Sequence, residues 1–151
     1  MQMKDSVAIP ADRRLVWEAL NNPEILRQCI PGCEELEMIS QTELRAQVLL
    51  KIGPIKARFA GEVTLSDLDP PNGYVLSGEG KGGVAGMAKG AAHLKLREEP
   101  VGHTILEYEA RVDVGGKIAQ LGARLLDTTA TKLTRKFFED FSQLVSNKSD
   151  N

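Results

Sequence analysis

Two hydrophobic periods divide the chain, and their junction constrains the fold more than any other feature. Between Leu36 and Val114 apolar residues alternate with polar ones, the period of a β-strand, and from Lys117 to about Val145 they recur at the period of an α-helix. Gly115-Gly116 marks the switch. The alternation is clearest where Ile55, Ala57, Phe59, Gly61, Val63 and Leu65 share one face and Lys56, Arg58, Glu62, Thr64 and Ser66 the other. Leu44, Ala46, Val48 and Leu50 repeat it upstream, and Leu106, Tyr108, Ala110, Val112 and Val114 repeat it downstream. Turns are signalled at Gly53-Pro54, at Asp69-Pro70-Pro71-Asn72-Gly73 and at Glu99-Pro100-Val101-Gly102. A sheet with one apolar face needs a cover, and the C-terminal helix, roughly 40 Å long at about 1.5 Å per residue, is the only segment able to supply it. The fold class that follows is α+β, with a curved antiparallel sheet of about six to seven strands wrapped around a long C-terminal helix.

Upstream of this unit, Met3, Val7 and Ile9 mark a first strand, closed by Pro10. Asp12 reads as a cap for a short helix carrying Leu15, Val16, Ala19 and Leu20, and Asn21-Asn22-Pro23 interrupts it before a second short helix from Glu24 to Cys29. The turn Ile30-Pro31-Gly32-Cys33 ends the pair. The 151 residues suit a single domain, predicted over 1–145, with a polar, disordered tail over 146–151. Six glycines between Gly78 and Gly90 predict a mobile loop joining two strands, and the last helix reads as continuous from Lys117.

Composition excludes several function classes. Nineteen basic and 21 acidic side chains, without a long run of either sign, give no field for nucleic acid. No segment approaches the ~20 apolar residues that cross a bilayer, and Met1 to Val7 lack the apolar run of a signal peptide. Cys29 and Cys33 are too few for a secreted disulfide scaffold, so a reducing, cytoplasmic setting is expected. As a Cys-x3-Cys pair without a second pair or a nearby histidine they predict no metal site. The glycine cluster lies between strands and lacks Gly-Lys-Ser/Thr, so it is not a phosphate loop, and no cofactor is implied.

The inward parity carries no acid–base pair, and so no catalytic residue is assigned. His93 has outward parity and His103 falls in a turn. A cavity between a curved sheet and its helix would be lined by Phe59 and Val63 from one strand, by Tyr74 and Leu76 from the next, and by Tyr108 from the last strand. Leu121, Leu125 and Phe137 would line it from the helix. The phenols of Tyr74 and Tyr108 are the polar handles. Small residues at Gly122, Ala123 and Thr128 to Thr131 either leave space above the sheet or belong to an exposed segment; the sequence allows both.

Several of these features together resemble the carbon monoxide dehydrogenase G-subunit family, within the START-like, birch-pollen-allergen-like helix-grip superfamily. They are Ile9-Pro10, Val16-Trp17, Asn22-Pro23, the turn Ile30 to Cys33, Phe59-Ala60-Gly61, the glycine cluster and Gly115-Gly116. The resemblance implies a helix-grip fold and an accessory protein of a molybdenum hydroxylase. Such a protein would aid membrane association and carry a lipophilic quinone or lipid, peripherally at the inner membrane face. The resemblance supplies no catalytic residue. On the same likeness, Ile30, Pro31 and Gly32, and Gly82, Gly83, Gly86 and Met87, mark loops at a cavity mouth or partner surface. Three readings stay open: a hydrophobic-ligand binder, a ligand-free module docking on an enzyme component or bilayer through the Met87 loop, and a cyclase or hydratase using the tyrosines.

Overall fold

In the computed structural model of the chain, which describes residues 1–100 and 102–149, seven strands form one antiparallel sheet. The chain runs β1 (Gln2–Ile9), α1 (Arg13–Leu20), α2 (Pro23–Cys29), β2 (Cys33–Met38), β3 (Glu43–Ile52), β4 (Ile55–Asp69), β5 (Gly73–Lys81), β6 (Met87–Glu99), β7 (His103–Gly115) and α3 (Ala123–Ser149). Strands β2 to β7 pair with their sequence neighbours, and β1 adds beside β7, so the spatial order is β1-β7-β6-β5-β4-β3-β2. The consecutive strands β1 and β2 are thus opposite edges. The segment joining them, with α1 and α2, spans the open side of the curved sheet.

Burial of α1 and α2 follows from their sequence. Val16, Trp17, Ala19 and Leu20 form one stripe of α1, and Ile25 and Cys29 one of α2. The Asn22 side chain accepts from the Glu24 N–H at 3.0 Å and Pro23 opens the helix, a favourable N-terminus. Asp12 stands at the cap position of α1, but its side chain makes no cap hydrogen bond. The start of α1 is tied to the sheet instead by the fully buried Thr104, whose hydroxyl donates to the Ala11 carbonyl at 2.7 Å.

Two separate cores hold α3 against the sheet. The larger gathers Ile9, Val16, Trp17 and Leu106 around Phe141 and Val145, near the C-terminal end of α3. The smaller gathers Ile52, Phe59, Ala85 and Ile118 with Leu121 and Leu126, at the other end. Part of the sheet carries only small side chains. One cross-strand row reads Ala46–Gly61–Gly80–Ala88 and the next Val63–Gly78–Gly90–Val112, and all eight residues are half-buried. Gly90 is required by close approach, since a Cβ there would collide with the Arg111 carbonyl oxygen.

Four expectations are corrected. The glycine stretch is not one loop: Gly78 and Gly80 belong to β5 and Gly90 to β6, and the connection is only Gly82 to Gly86, folded into a 3-10 turn closed by Gly82 N–H donating to Gly86 O at 2.8 Å. Because glycine's small size lets strands pair, its abundance here serves the ladder. The final helix is not continuous from Lys117: a 3-10 turn over Lys117–Leu121 precedes it, and Gly122 at φ 93°, a left-handed conformation, breaks the two apart. At the other end α3 continues through Ser149, so Ser146 to Ser149 extend the helix, while Asp150 and Asn151 lie outside the described residues. His103 opens β7 rather than lying in the turn.

Phe141 is fully buried where α3 meets the larger core, whereas Val84 is 84% exposed on the 82–86 turn. Replacing Phe141 by Ala is expected to cost about 3–5 kcal/mol, and Val84→Ser to change stability by less than about 0.5 kcal/mol, both measured by urea unfolding.

Candidate functional site

Between the sheet and α3, walled by residues of the larger core, lies a cavity of about 350 Å³. Its floor is the sheet, with Ala46, Gly61, Val63, Leu76, Ala92 and Leu94, and its roof is α3, with Thr134, Phe137 and Phe138. Leu20, Leu26 and Ile30 from the α1–α2 segment close one end. The cavity exists because of side-chain volume. Glycine and alanine on the floor cannot reach α3, while Phe137 and Phe138 pack edge-to-face, ring centroids 5.1 Å apart, and hold the roof up. Its volume lies in the range of small-molecule sites, and its walls are too apolar to hold ordered water well.

Four residues with polar side chains are among the lining: Asn21, Tyr74, Tyr108 and Thr134. Asn21 spends its amide N–H on the Trp17 carbonyl at 2.9 Å. Tyr74 is only 7% exposed and packs edge-to-face on Trp17 at 5.4 Å, yet no group among the described residues hydrogen-bonds its hydroxyl. Burial pushes its phenol up to about 12. The Tyr108 phenol is also raised, first by burial and then by the Asp5 carboxylate, its cross-strand neighbour. Near neutral pH both phenols are therefore neutral. Phe138 stacks on Tyr108 with centroids 5.5 Å apart.

The structure brings Val63, Tyr74, Leu76, Tyr108 and Phe137 together around the cavity, with Ile30 at its end wall. It places the other expected lining residues elsewhere. Phe59 and Leu121 belong to the smaller core, and Leu125 lies over the β3–β4 turn near Gly53. Parity gives them the correct face but not their distance along it, which depends on how far the β3–β4 hairpin extends beyond the β5–β6 turn. Gly82, Gly83, Gly86 and Met87 are separated from the cavity by that core, through which Ala85 anchors their turn, so they are not its mouth. Pro31 and Gly32 turn the chain beside β3, where the Leu49 N–H donates to Gly32 O at 2.8 Å. Met3, Leu26, Met38, Thr134 and Phe138 join the lining beyond the residues expected from parity. The helical spacing of Thr134, Phe137 and Phe138 is the sequence signal for the roof.

The cysteines have the character of small hydrophobes: both thiols are raised by burial, Cys29 to about 11, which disfavours the reactive thiolate. Among the described residues no cluster of His, Cys, Asp or Glu could hold a metal ion, and no helix is long and apolar enough to cross a membrane.

Known proteins share both the sequence pattern and the geometry. Residues 6–146 match the carbon monoxide dehydrogenase G-subunit (CoxG) family. The chain belongs to that family. A conserved protein from Geobacillus kaustophilus has a similar structure, at 28% identity and TM-score 0.92, with 97% of this chain and 96% of that one covered. More distant likenesses share the fold alone. The Zhui aromatase/cyclase from Streptomyces sp. R1128 gives 12% identity and TM-score 0.68 over 98% and 94% of the two chains, and a START superfamily protein from Mycobacterium smegmatis gives 12% and 0.66 over 99% and 97%. No curated protein matches the sequence. The CoxG-family chain thus has the helix-grip fold expected from its sequence.

Two outcomes follow from the cavity. Ala92→Leu, which extends into free space, is expected to be neutral or stabilising, whereas Ala19→Leu in the packed larger core should cost about 1–3 kcal/mol by thermal unfolding. For Tyr74, whose phenol rises from 10.0 to about 12 on folding, the stability it contributes is fully present below pH 10 and is lost as pH rises towards 12. Urea unfolding of wild type and Tyr74→Phe between pH 8 and 12 should show the steeper decline in wild type.

Proposed function

We propose that this CoxG-family chain is a non-enzymatic accessory protein that holds a hydrophobic molecule, a lipid or a quinone, between sheet and helix. It would deliver that molecule for a carbon monoxide dehydrogenase-like molybdenum hydroxylase, as electron acceptor or in support of membrane association. The observation that carries the reading is the apolar cavity itself, enclosed by the sheet, α3 and the α1–α2 segment. An apolar body would displace water that the walls bind poorly. The protein would work in the cytoplasm, with transient contact at the inner membrane face. The aromatase/cyclase likeness indicates that this fold can house an enzyme. Against a cyclase or hydratase here stands the cavity wall itself, which offers two phenols of raised pKa and no carboxylate or imidazole.

A specific observation favours docking as a second reading. The 82–86 turn is anchored by buried Ala85 but presents Val84, 84% exposed, and Met87 follows it at 39%. Such an anchored apolar tip suits contact with an enzyme component or bilayer.

Protein purified in the presence of membranes and extracted with organic solvent should release a hydrophobic molecule detectable by mass spectrometry, and Ala92→Trp, filling the cavity, should release little. A consistently empty wild type would count against the ligand reading. A variant with the 82–86 turn shortened should keep its ligand and lose retention of the hydroxylase in pull-downs.

A further inference from the structure

Alternate turns of an antiparallel sheet fall at one end, and the β3–β4, β5–β6 and β7–α3 connections share that end here. They are also packed together: the smaller core joins Ile52, Phe59, Ala85 and Ile118, Gly116 lies against Gly86, and Gly53 lies against Leu125. In the sequence these three segments, 48–57, 81–89 and 114–126, hold Lys51, Lys56, Lys81, Lys89, Lys117 and Arg124 and not one carboxylate. All six residues are exposed. The cations lie far apart along the chain, and the topology gathers them.

The acids that border this end do not cancel the cluster. Glu79 pairs with Lys81 at 3.2 Å and Glu34 with Arg58 at 2.8 Å, while Asp113 stands across the ladder from Lys89 and Asp127 lies one turn into α3. Lys51, Lys56, Lys117 and Arg124 have no ion pair among the described residues. Lys51 and Lys56 are moreover directly opposite in the β3–β4 ladder, a like-charge pair that works against the hairpin, so the fold does not account for it. Between Lys81 and Lys89 stands Val84, 84% exposed beside the buried Ala85, and Met87 follows at 39%. The turns at the opposite end, 38–44, 66–74 and 97–104, carry five acids and one arginine, with Arg13 and Arg14 nearby at the start of α1. The molecule is therefore electrically polar along its strands, although its formal net charge is only −2.

We propose that this end docks on an anionic lipid bilayer, with Val84 and Met87 entering the interface and Lys51, Lys56, Lys117 and Arg124 meeting the phosphate layer. This rests on the docking reading of the 82–86 turn and commits it to a bilayer. Charge and exposed apolar surface select that occupant together. An acidic protein or a nucleic acid would use the cations but leave the isolated aliphatic tip in water, whereas an interface of anionic headgroups takes both. The acidic turns at the far end orient the molecule with the 82–86 turn towards the surface. The smaller core stands between this surface and the cavity, so docking does not depend on the cavity being filled.

Flotation of the full chain with vesicles of phosphatidylcholine containing about one-third phosphatidylglycerol tests the proposal. Wild type should float with these vesicles and not with pure phosphatidylcholine, and should be released as salt rises from about 0.1 to about 0.5 M. Lys51→Gln/Lys56→Gln/Lys117→Gln should lower partitioning at least about tenfold, since each lysine near an anionic surface is worth about fivefold. Lys4→Gln/Lys95→Gln/Lys132→Gln, which removes the same charge elsewhere on the exposed surface, should lower it less than about threefold. The chain's single tryptophan, Trp17, is buried, so the indole introduced by Val84→Trp reports on the tip, and its emission should shift to the blue when the anionic vesicles are added. Equal losses from the two triple variants, or flotation with no shift of that indole, overturn the bilayer surface. So does retention on heparin or an acidic protein without flotation. If flotation fails while pull-downs still retain the hydroxylase through the 82–86 turn, the bilayer falls and the docking reading stands; if both fail, the docking reading falls with it.

Discussion

The structure depends on a missing volume. Beneath Thr134, Phe137 and Phe138 of α3 the sheet presents Ala46, Gly61 and Ala92 beside Val63, and side chains this small leave a cavity of about 350 Å³. Phe59 and Ile118 fix one end, and Phe141 and Val145 fix the other. The helix is therefore supported as a beam is, at its ends. Packing at native density is achieved where it secures the fold and withheld around the cavity.

This division explains how the cavity can exist without destabilising the protein. Thr104 ties the α1 start to β7, and Trp17 packs against Tyr74, so the α1–α2 segment closes the cavity from a firmly held position. The cost of the half-filled middle falls on the partly exposed residues that line it, and an apolar occupant would offset that cost by supplying the missing contacts. On the proposed function, the under-packed region is the one that would be used.

Most of the fold was legible in the sequence because alternation and helical period are properties of local order: the strands from Glu43 to Gly115 and the stripe through Phe137 and Phe141 follow from spacing alone. What spacing could not give was position along the inner face. Phe59 shares parity with Val63 yet lies in the smaller core, and the difference is set by long-range register. The glycines misled for a related reason. Their composition indicates a loop, but Gly78 and Gly90 sit opposite each other in a regular ladder, where the close approach of Arg111 decides the residue.

The central claim is that the space bounded by Val63, Ala92 and Phe137 is open and apolar. Crystals of the protein pressurised with xenon test it directly, because xenon enters only apolar cavities that exist in the folded state. The account predicts xenon between Ala92 and Phe137, with the Phe137 and Phe138 rings unmoved. A structure in which those rings had dropped onto Ala92 and Gly61, leaving no xenon site between sheet and helix, would contradict it.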